Sequence, residues 1–140
     1  MIAYFDSSAF VKVLLREPGS DQSREIFFTS TRVFSSRLLV PEASAALGRA
    51  TRTGRLGTRS ATKARDLARS LLEEITLVEV SAVLADRAWD LASTLALRGY
   101  EAVHLASFER VESENTVLVT SDGDLARAAL SLGHAVAVPA

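Results

Sequence analysis

The chain has 140 residues, which is the size of one ordinary domain, and its net charge is −1. It contains no cysteine, which excludes disulfides and thiolate metal sites and fits a cytoplasmic protein. No apolar run approaches the ~20 residues needed to cross a bilayer, and MIAYFDSSAF lacks the basic start of a signal peptide. We therefore expect a single cytoplasmic domain over residues 1–140.

The pattern of apolar residues predicts strands that alternate with helices. In chain order we predict a strand over 2–5, helices over 7–17 and 20–30, a strand over 32–36, helices over 38–51 and 58–75, a strand over 76–80, helices over 81–99 and 99–113, a strand over 116–120, a helix over 122–133 and a strand over 135–139. Leu67, Leu71 and Leu72 are expected to form one apolar stripe, and Gly99 is expected to end a helix.

The strands are short and uniformly apolar, which is typical of parallel strands that are covered on both faces. The alternation of strands and helices along the whole chain favours one sheet between two layers of helices. We therefore predict a three-layer α/β/α domain with a short, mainly parallel central sheet.

The positive charge is concentrated in one segment. Residues 49–69, which we call the basic strip, carry seven bases and one acid, and this gives +6. The bases are Arg49, Arg52, Arg55, Arg59, Lys63, Arg65 and Arg69, and the acid is Asp66. Either the strip is a solvated helical face, or it attracts nucleic-acid phosphates or an acidic partner.

Acidic residues stand at the exits of the two most convincing strands. Asp6 comes after IAYF, Asp122 comes after TVLVTS, and Asp124 lies two residues further on. Ligands of parallel α/β sheets bind beyond the carboxyl ends of the strands, so these acids are candidates for a site. Asp6 and Asp122 could instead cap the helices that follow them.

Two glutamates in predicted first helical turns extend this pattern. Glu42 lies in VPEASAAL, and Glu101 shares a helical face with Leu105 and Phe108. Either the helix dipole stabilises each acid at the surface, or both point into the cleft at the strand ends. Four converging carboxylates without paired cations would imply a hard divalent cation, and oxygen ligands favour Mg²⁺ or Mn²⁺ over Zn²⁺.

Three other polar residues lie close to these acids in the sequence. His104 follows Glu101 by three residues, and it is either a core residue, a partner of a carboxylate or a metal ligand. Thr120 and Ser121 could donate hydrogen bonds to a carboxylate or to a metal-bound water, and Ser121 could alternatively cap a helix.

Four segments of the chain resemble, in order, the motifs of PIN-domain ribonucleases. They are MIAYFDSSAFVKVLLREPGS, LLVPEASAALGRA, LRGYEAVHLAS and VLVTSDGDLARAALSLG. The similarity covers essentially the whole chain and is greatest to the VapC-type toxins of bacterial toxin–antitoxin systems. It implies a PIN-like fold and endoribonuclease activity.

The resemblance also implies which residues form the acidic quartet of the family. The first two acids correspond to Asp6 and to Glu42 of the PE-A motif. The third, in the DAxHLA motif, corresponds to Glu101, and the fourth, in the T-x-D-x-D-L motif, to Asp122 with Asp124 as an accessory acid. On this basis Asp6, Glu101 and Asp122 would bind the metal directly, assisted by Glu42 and Asp124.

Other positions match the family less completely. Ser8 and Thr120 stand where the family often has polar residues near the metal. The third acid is usually aspartate, so the carboxylate of Glu101 lies one methylene further from the backbone. Because Mg²⁺ requires near-octahedral oxygen geometry, this longer side chain must fold back or bind through water.

The chemistry and the partners are likewise implied by the resemblance. Mg²⁺ or Mn²⁺ held by the acids would activate a water for in-line attack on RNA, leaving a 5′-phosphate and a 3′-hydroxyl. Arg49, Arg52, Arg55 and Arg59 would bind RNA or an acidic antitoxin tail. The expected partners are a VapB-like antitoxin, which can insert an arginine among the acids, and a second copy in a homodimer, with Phe27, Phe28 and Phe34 as candidate dimer contacts.

Two other enzyme classes that open with a strand and an aspartate do not fit. A haloacid-dehalogenase-type phosphatase needs a second aspartate where this chain has Ser8, and a response-regulator receiver needs an acidic pair before its acceptor aspartate. Both also need a later lysine, whereas the only lysines are Lys12 and Lys63. The remaining alternatives are a PIN nuclease in RNA processing, or a weakened PIN-like module that binds RNA or a partner.

Overall fold

The structure, a computed structural model, describes residues 1–140 and contains five strands and seven helices. In chain order these are β1 (Ile2–Phe5), α1 (Ser7–Leu14), α2 (Ser20–Thr29), β2 (Arg32–Ser36), α3 (Leu39–Arg52), α4 (Thr58–Glu74), β3 (Thr76–Val78), α5 (Ala82–Leu95), α6 (Gly99–Val111), β4 (Thr116–Val119), α7 (Gly123–Ser131) and β5 (Val136–Ala137). Every predicted element is present and in the predicted order. None of the helices combines the length and the apolar character needed to cross a membrane.

The five strands form one fully parallel sheet in the order β3-β2-β1-β4-β5. β1 lies at the centre and pairs with β2 on one side and with β4 on the other. Phe5 is opposite Val119 in the register of β1 and β4, so these two strands end together. The residues that follow them are therefore neighbours at one edge of the sheet.

Two hydrophobic cores cover the two faces of the sheet. Successive side chains of a strand point to opposite faces, so Ala3 and Phe5 pack on one side and Tyr4 on the other. The first core joins the sheet to α1, α2, α3 and α4, and the second joins it to α5, α6 and α7. The predicted three-layer α/β/α architecture is thus confirmed.

The prediction for the buried face of α4 was partly wrong. Leu71 is buried as expected, but Leu67 is exposed, and the helix buries Ala61, Ala64 and Ala68 instead. These alanines recur at helical spacing, so the face that meets the core is made of small residues. The positions of the leucines alone therefore predict the wrong face of α4 as the buried one.

The predicted ends of two helices were also wrong. α1 stops at Leu14 because Leu15 is extended and its carbonyl oxygen accepts a hydrogen bond from Ser20 Oγ at 2.7 Å. α5 stops at Leu95, and Ala96 rather than Gly99 takes the left-handed conformation that closes it, with φ of 53°. Gly99 is instead the first residue of α6.

Two of the three candidate dimer contacts are not free surface residues. Phe27 is buried, and its ring centroid lies 5.3 Å from that of Phe5. Phe34 is half-buried, with the Arg32 guanidinium 4.8 Å from its ring centroid. Phe28 is exposed as expected. The expectation for Phe27 was wrong because its helix packs this face onto the sheet.

The central position of β4 leads to a prediction about stability. Leu118 is fully buried between β1 and β5, so Leu118→Ala should lower the free energy of unfolding by about 2–5 kcal/mol. Leu130→Ala is the matched control, because Leu130 is exposed and its loss should change stability by less than about 0.5 kcal/mol. Urea unfolding of both variants measures the difference, and equal losses would contradict the packing described.

Candidate active site

The strand order reverses at β1, and a cavity of about 770 Å³ opens beyond the carboxyl ends of β1 and β4. Its wall includes three of the four predicted acids, Asp6, Glu42 and Asp122. In open parallel sheets this is the position where ligands bind. The fourth acid, Glu101, is buried and is not part of this wall, but Arg98 and Tyr100 from the same helix start line it.

Asp6 is buried and surrounded by hydrogen-bond donors. Oδ1 accepts from the backbone N–H of Ala9 at 3.0 Å, so Asp6 caps α1 as one interpretation of the sequence proposed. The Ser8 hydroxyl lies 2.7 and 2.9 Å from the two carboxylate oxygens, and the Thr120 hydroxyl donates to Oδ2 at 2.6 Å. Burial raises the pKa of Asp6, although the nearby His104 and these hydrogen bonds oppose the rise.

Ser8 and Thr120 also tie Asp6 to the loop after β4. The backbone N–H of Ser121 donates to Ser8 Oγ at 2.8 Å, and the N–H of Asp122 donates to Thr120 Oγ1 at 3.0 Å. The two hydroxyls therefore link the first acid to the segment that carries the fourth. The Ser121 hydroxyl does not contact an acid, and it donates instead to the carbonyl of Pro139.

Glu42 is held by a buried chain of two side chains. Its Oε1 lies 2.6 Å from Nε2 of His104, and Nδ1 of His104 lies 2.9 Å from the Tyr4 hydroxyl. Burial raises the pKa of Tyr4 well above its usual value, so the phenol keeps its proton. A phenol that donates to Nδ1 leaves Nε2 as the N–H donor to Glu42. His104 thus holds the Glu42 carboxylate in position without itself lining the cavity.

Glu101 is only 2% exposed and occupies the first turn of α6. Oε1 accepts a long hydrogen bond of 3.4 Å from the backbone N–H of Arg98, whereas the buried Oε2 has no hydrogen-bond partner. Burial raises the pKa of Glu101, and the negative charge of Asp122 raises it further. The side chain therefore carries an acceptor atom that the protein alone does not satisfy.

Glu101, Asp122 and Asp124 form a cluster of carboxylates. One oxygen from each lies within 4.8 Å of the others. Oδ1 of Asp122 also caps α7 by accepting from the N–H groups of Asp124 and Leu125 at 3.0 and 3.2 Å. Capping and cluster formation thus occur together, because a carboxylate has a second oxygen. Asp124 pairs with Arg127 at 2.7 Å.

These three acids fit a divalent cation. Carboxylates this close repel one another unless a proton or a cation lies between them, and Oε2 of Glu101 is a buried acceptor without a partner. An all-oxygen donor set suits Mg²⁺ or Mn²⁺. Asp6 and Glu42 face the same cavity but bond to protein donors, so the structure divides the predicted quartet into a cluster and two separately held acids.

The basic strip meets the cavity at only part of its length. Arg49 and Arg55 line the cavity, whereas Arg52 and Arg59 are exposed outside its lining. Arg55 donates to Oε2 of Glu17 at 2.8 Å, and this ion pair lowers the pKa of Glu17 although burial opposes the change. The four arginines grouped by the sequence therefore fall into two pairs with different surroundings.

Sequence reasoning missed three residues of the site. Tyr4, Arg98 and Tyr100 were not singled out, although Arg98 and Tyr100 lie within LRGYEAVHLAS beside Glu101. An arginine and an aromatic residue within three positions of a candidate ligand were the available signal for these two. Nothing in the sequence pairs Tyr4 with a histidine that is 100 positions away.

Comparison with known proteins supports the family resemblance. The PIN domain family model matches residues 3–130. Ribonuclease VapC49 of Mycobacterium tuberculosis is 36% identical over 136 residues, which cover 97% of this chain and 94% of the relative. Ribonuclease VapC46 of the same species is 34% identical over 97% of this chain and 96% of its own length. The chain belongs to the PIN domain family, as its motifs predicted, and these curated relatives are ribonucleases.

Solved structures show the same fold at lower sequence identity. Mycobacterium tuberculosis VapC20, described as a sarcin-ricin loop cleaving toxin, aligns with a TM-score of 0.69 at 19% identity over 90% of this chain and 94% of its own. A toxin–antitoxin complex from Klebsiella pneumoniae aligns with a TM-score of 0.63 at 16% identity over 99% of this chain and 98% of its own. At these sequence identities, the two similarities concern the fold alone.

The raised pKa of Glu101 leads to a prediction about the stability of the metal-free protein. Because the pKa of Glu101 is raised by folding, its contribution to stability is favourable below that pKa and is lost as the pH rises through it. Glu101→Gln should therefore raise the Tm of the metal-free protein at neutral pH, because the amide is not charged there. Thermal unfolding with EDTA measures this effect.

The same samples with Mn²⁺ test the cation directly. Mn²⁺ should raise the Tm of the wild type and of Glu114→Gln, an exposed acid outside the cluster, but should raise that of Glu101→Gln much less. An equal rise in all three proteins would show that the ion binds away from this cluster.

Proposed function

We propose that the protein is a divalent-metal-dependent endoribonuclease and the toxin of a toxin–antitoxin pair. The observation that carries the proposal is the cluster of Glu101, Asp122 and Asp124, with its unsatisfied oxygen, at the ligand-binding edge of a PIN-family sheet. The relatives named ribonuclease VapC support RNA as the substrate.

The five acids would have different roles in binding the cation and the reacting groups. Glu101, Asp122 and Asp124 would provide oxygen ligands for Mg²⁺ or Mn²⁺, and Asp6 and Glu42 would complete the acidic wall. A bound divalent cation supplies positive charge for the phosphodiester oxygens and lowers the pKa of water. Glu42, which His104 holds at 2.6 Å, would orient the attacking water.

Hydrolysis by water would leave a 5′-phosphate and a 3′-hydroxyl, because the ribose 2′-hydroxyl is not the nucleophile. The substrate would be held by cationic side chains on the cavity wall. Arg49 is exposed there and forms no ion pair, and Arg55 is held in place by Glu17. We infer that these two arginines bind RNA phosphates near the acids, and that Arg52 and Arg59, which lie outside the cavity lining, bind an acidic antitoxin tail.

A VapB-like antitoxin and a second copy of the chain are the proposed protein partners. The solved complexes of similar fold from Klebsiella pneumoniae and Rickettsia felis, the latter VapBC2 bound to a promoter DNA fragment, support a toxin–antitoxin pair. An antitoxin arginine could neutralise the acidic cleft by direct pairing. The homodimer and the cytoplasmic location remain predictions, and the absence of cysteine fits the latter.

The replacement of the usual aspartate by Glu101 is the one observation that favours a weakened RNA-binding or partner-binding module. The structure weighs against that alternative, because the longer side chain still brings an oxygen within 4.8 Å of Asp122 and Asp124. A PIN nuclease in RNA processing would use the same site, so it differs only in its partner. Co-purification with a small antitoxin would distinguish the toxin from that enzyme.

Replacement of Asp122 tests metal-dependent cleavage. Asp122→Asn keeps an oxygen that can cap α7 but removes the charge, so the fold should survive while RNA cleavage falls by at least about 100-fold. Cleavage of a structured RNA by purified protein with Mn²⁺, with Mg²⁺ and with EDTA measures this, together with analysis of the product ends. Asp66→Asn, which alters an exposed acid on α4, is the control.

Cleavage that persists in EDTA or in a pure preparation of Asp122→Asn would contradict the metal mechanism. Products that end in a 2′,3′-cyclic phosphate would contradict attack by water.

The division of the basic strip gives a second prediction for this function. Arg49→Ala should weaken RNA binding and reduce the slope of log K against log [salt] by about 0.7, the value for one phosphate contact on a single strand. Arg59→Ala is the matched control from outside the cavity lining and should leave cleavage unchanged. Unchanged slopes for both variants would assign the strip to solvent or to a protein partner.

A further inference from the structure

Tyr100 is the only aromatic residue on the wall of the acidic cavity. Its side chain is 40% exposed, although most of the large apolar side chains of α6 are buried. Tyr100 precedes Glu101, which points inward, and follows Gly99, which has no side chain to cover the ring. The start of α6 thus presents one aromatic side chain beside the metal-binding carboxylates.

Arg98 accompanies Tyr100 on the same rim of the cavity. Its side chain is 76% exposed, and its Nε lies 4.0 Å from Oε1 of Glu101. An exposed ion pair at this distance is weak, so the guanidinium can bind another anion.

This pair of side chains matches the two parts of a nucleotide. Unpaired bases in RNA are recognised by stacking on aromatic rings, and the adjacent phosphate is bound by arginine. We propose that Tyr100 and Arg98 form a subsite for one unpaired RNA nucleotide, with its base on Tyr100 and its phosphate on Arg98. The subsite rests on the proposed function for its position, because it lies beside the acids that would cleave the strand.

The subsite also predicts which RNA is bound. A base inside a duplex is stacked between its neighbours and cannot reach a single side chain on a cavity wall. The cavity offers no second aromatic residue, so only one base is gripped in this way. The substrate should therefore be a single strand or a loop from which one nucleotide can be splayed out.

Binding can be measured without cleavage, with EDTA present. The probes are a fluorescently labelled oligouridylate, an oligomer of the same length that lacks bases, and an RNA duplex. Tyr100→Ala should weaken binding of oligouridylate roughly tenfold but leave the abasic oligomer unaffected. Tyr100→Phe should keep the affinity, because the ring remains. Arg98→Ala should weaken both single strands and reduce the salt slope by about 0.7.

Matched controls separate this subsite from general surface effects. Trp89→Ala removes an exposed aromatic residue outside the cavity lining, and Arg110→Ala removes an exposed arginine outside it. Neither should change the affinity for oligouridylate, and thermal unfolding should show that all variants are folded. In cleavage assays Tyr100→Ala should raise KM more than it lowers kcat.

Three results would overturn the subsite. The first is that Tyr100→Ala binds oligouridylate as tightly as the wild type. The second is that Trp89→Ala loses as much affinity for oligouridylate as Tyr100→Ala does. The third is that Tyr100→Ala loses as much affinity for the abasic oligomer and the duplex as for oligouridylate. Failure of the proposed function would give a different result. If the wild type binds oligouridylate through Tyr100 but does not cleave it with Mn²⁺, the subsite proposal stands and the nuclease proposal fails.

Discussion

The parallel pairing of β1 with β4 decides where the acidic residues of this protein meet. Phe5 lies opposite Val119, so both strands end at the same level, and the chain continues from each into an acid that caps the next helix. The strand order also reverses at this pair, so helices from both layers approach the same edge of the sheet. Glu42 arrives from one layer and Glu101 from the other, which no local feature of either helix would achieve.

Gathering these acids would be unfavourable if each were left in a buried, low-dielectric cleft without compensation. The protein compensates them unequally. Asp6 receives donors from Ser8, Thr120 and a backbone N–H, and Glu42 receives one from His104. Glu101 keeps one oxygen without any partner. The unequal compensation indicates where an external cation would contribute most, because stabilisation by a ligand is largest where the protein has left charge unbalanced.

Much of this could be predicted from the sequence. Asp6 follows IAYF and Asp122 follows TVLVTS, and a strand exit is a local pattern that periodicity reveals. The contacts that hold the acids were harder to predict, because they join residues far apart in the chain. The uniformly apolar IAYF run does not show which side chains face which layer, so the contact of Tyr4 with His104 required the folded sheet. The buried alanine face of α4 was missed for a related reason, since small residues carry a weak hydrophobic signal.

The glutamate at position 101 acquires a physical explanation from its place in α6. A glutamate in the third position of a helix can reach back to the N–H before the first turn, and Oε1 of Glu101 does so at 3.4 Å from the N–H of Arg98. An aspartate is one methylene shorter and is less suited to this contact. The extra length is therefore taken up by this contact at the helix start, while one carboxylate oxygen of Glu101 lies within 4.8 Å of oxygens of Asp122 and Asp124, and Oε2 has no hydrogen-bond partner. The same turn presents Arg98 and Tyr100 to the cavity, so one helix start both holds the cluster and shapes the wall beside it.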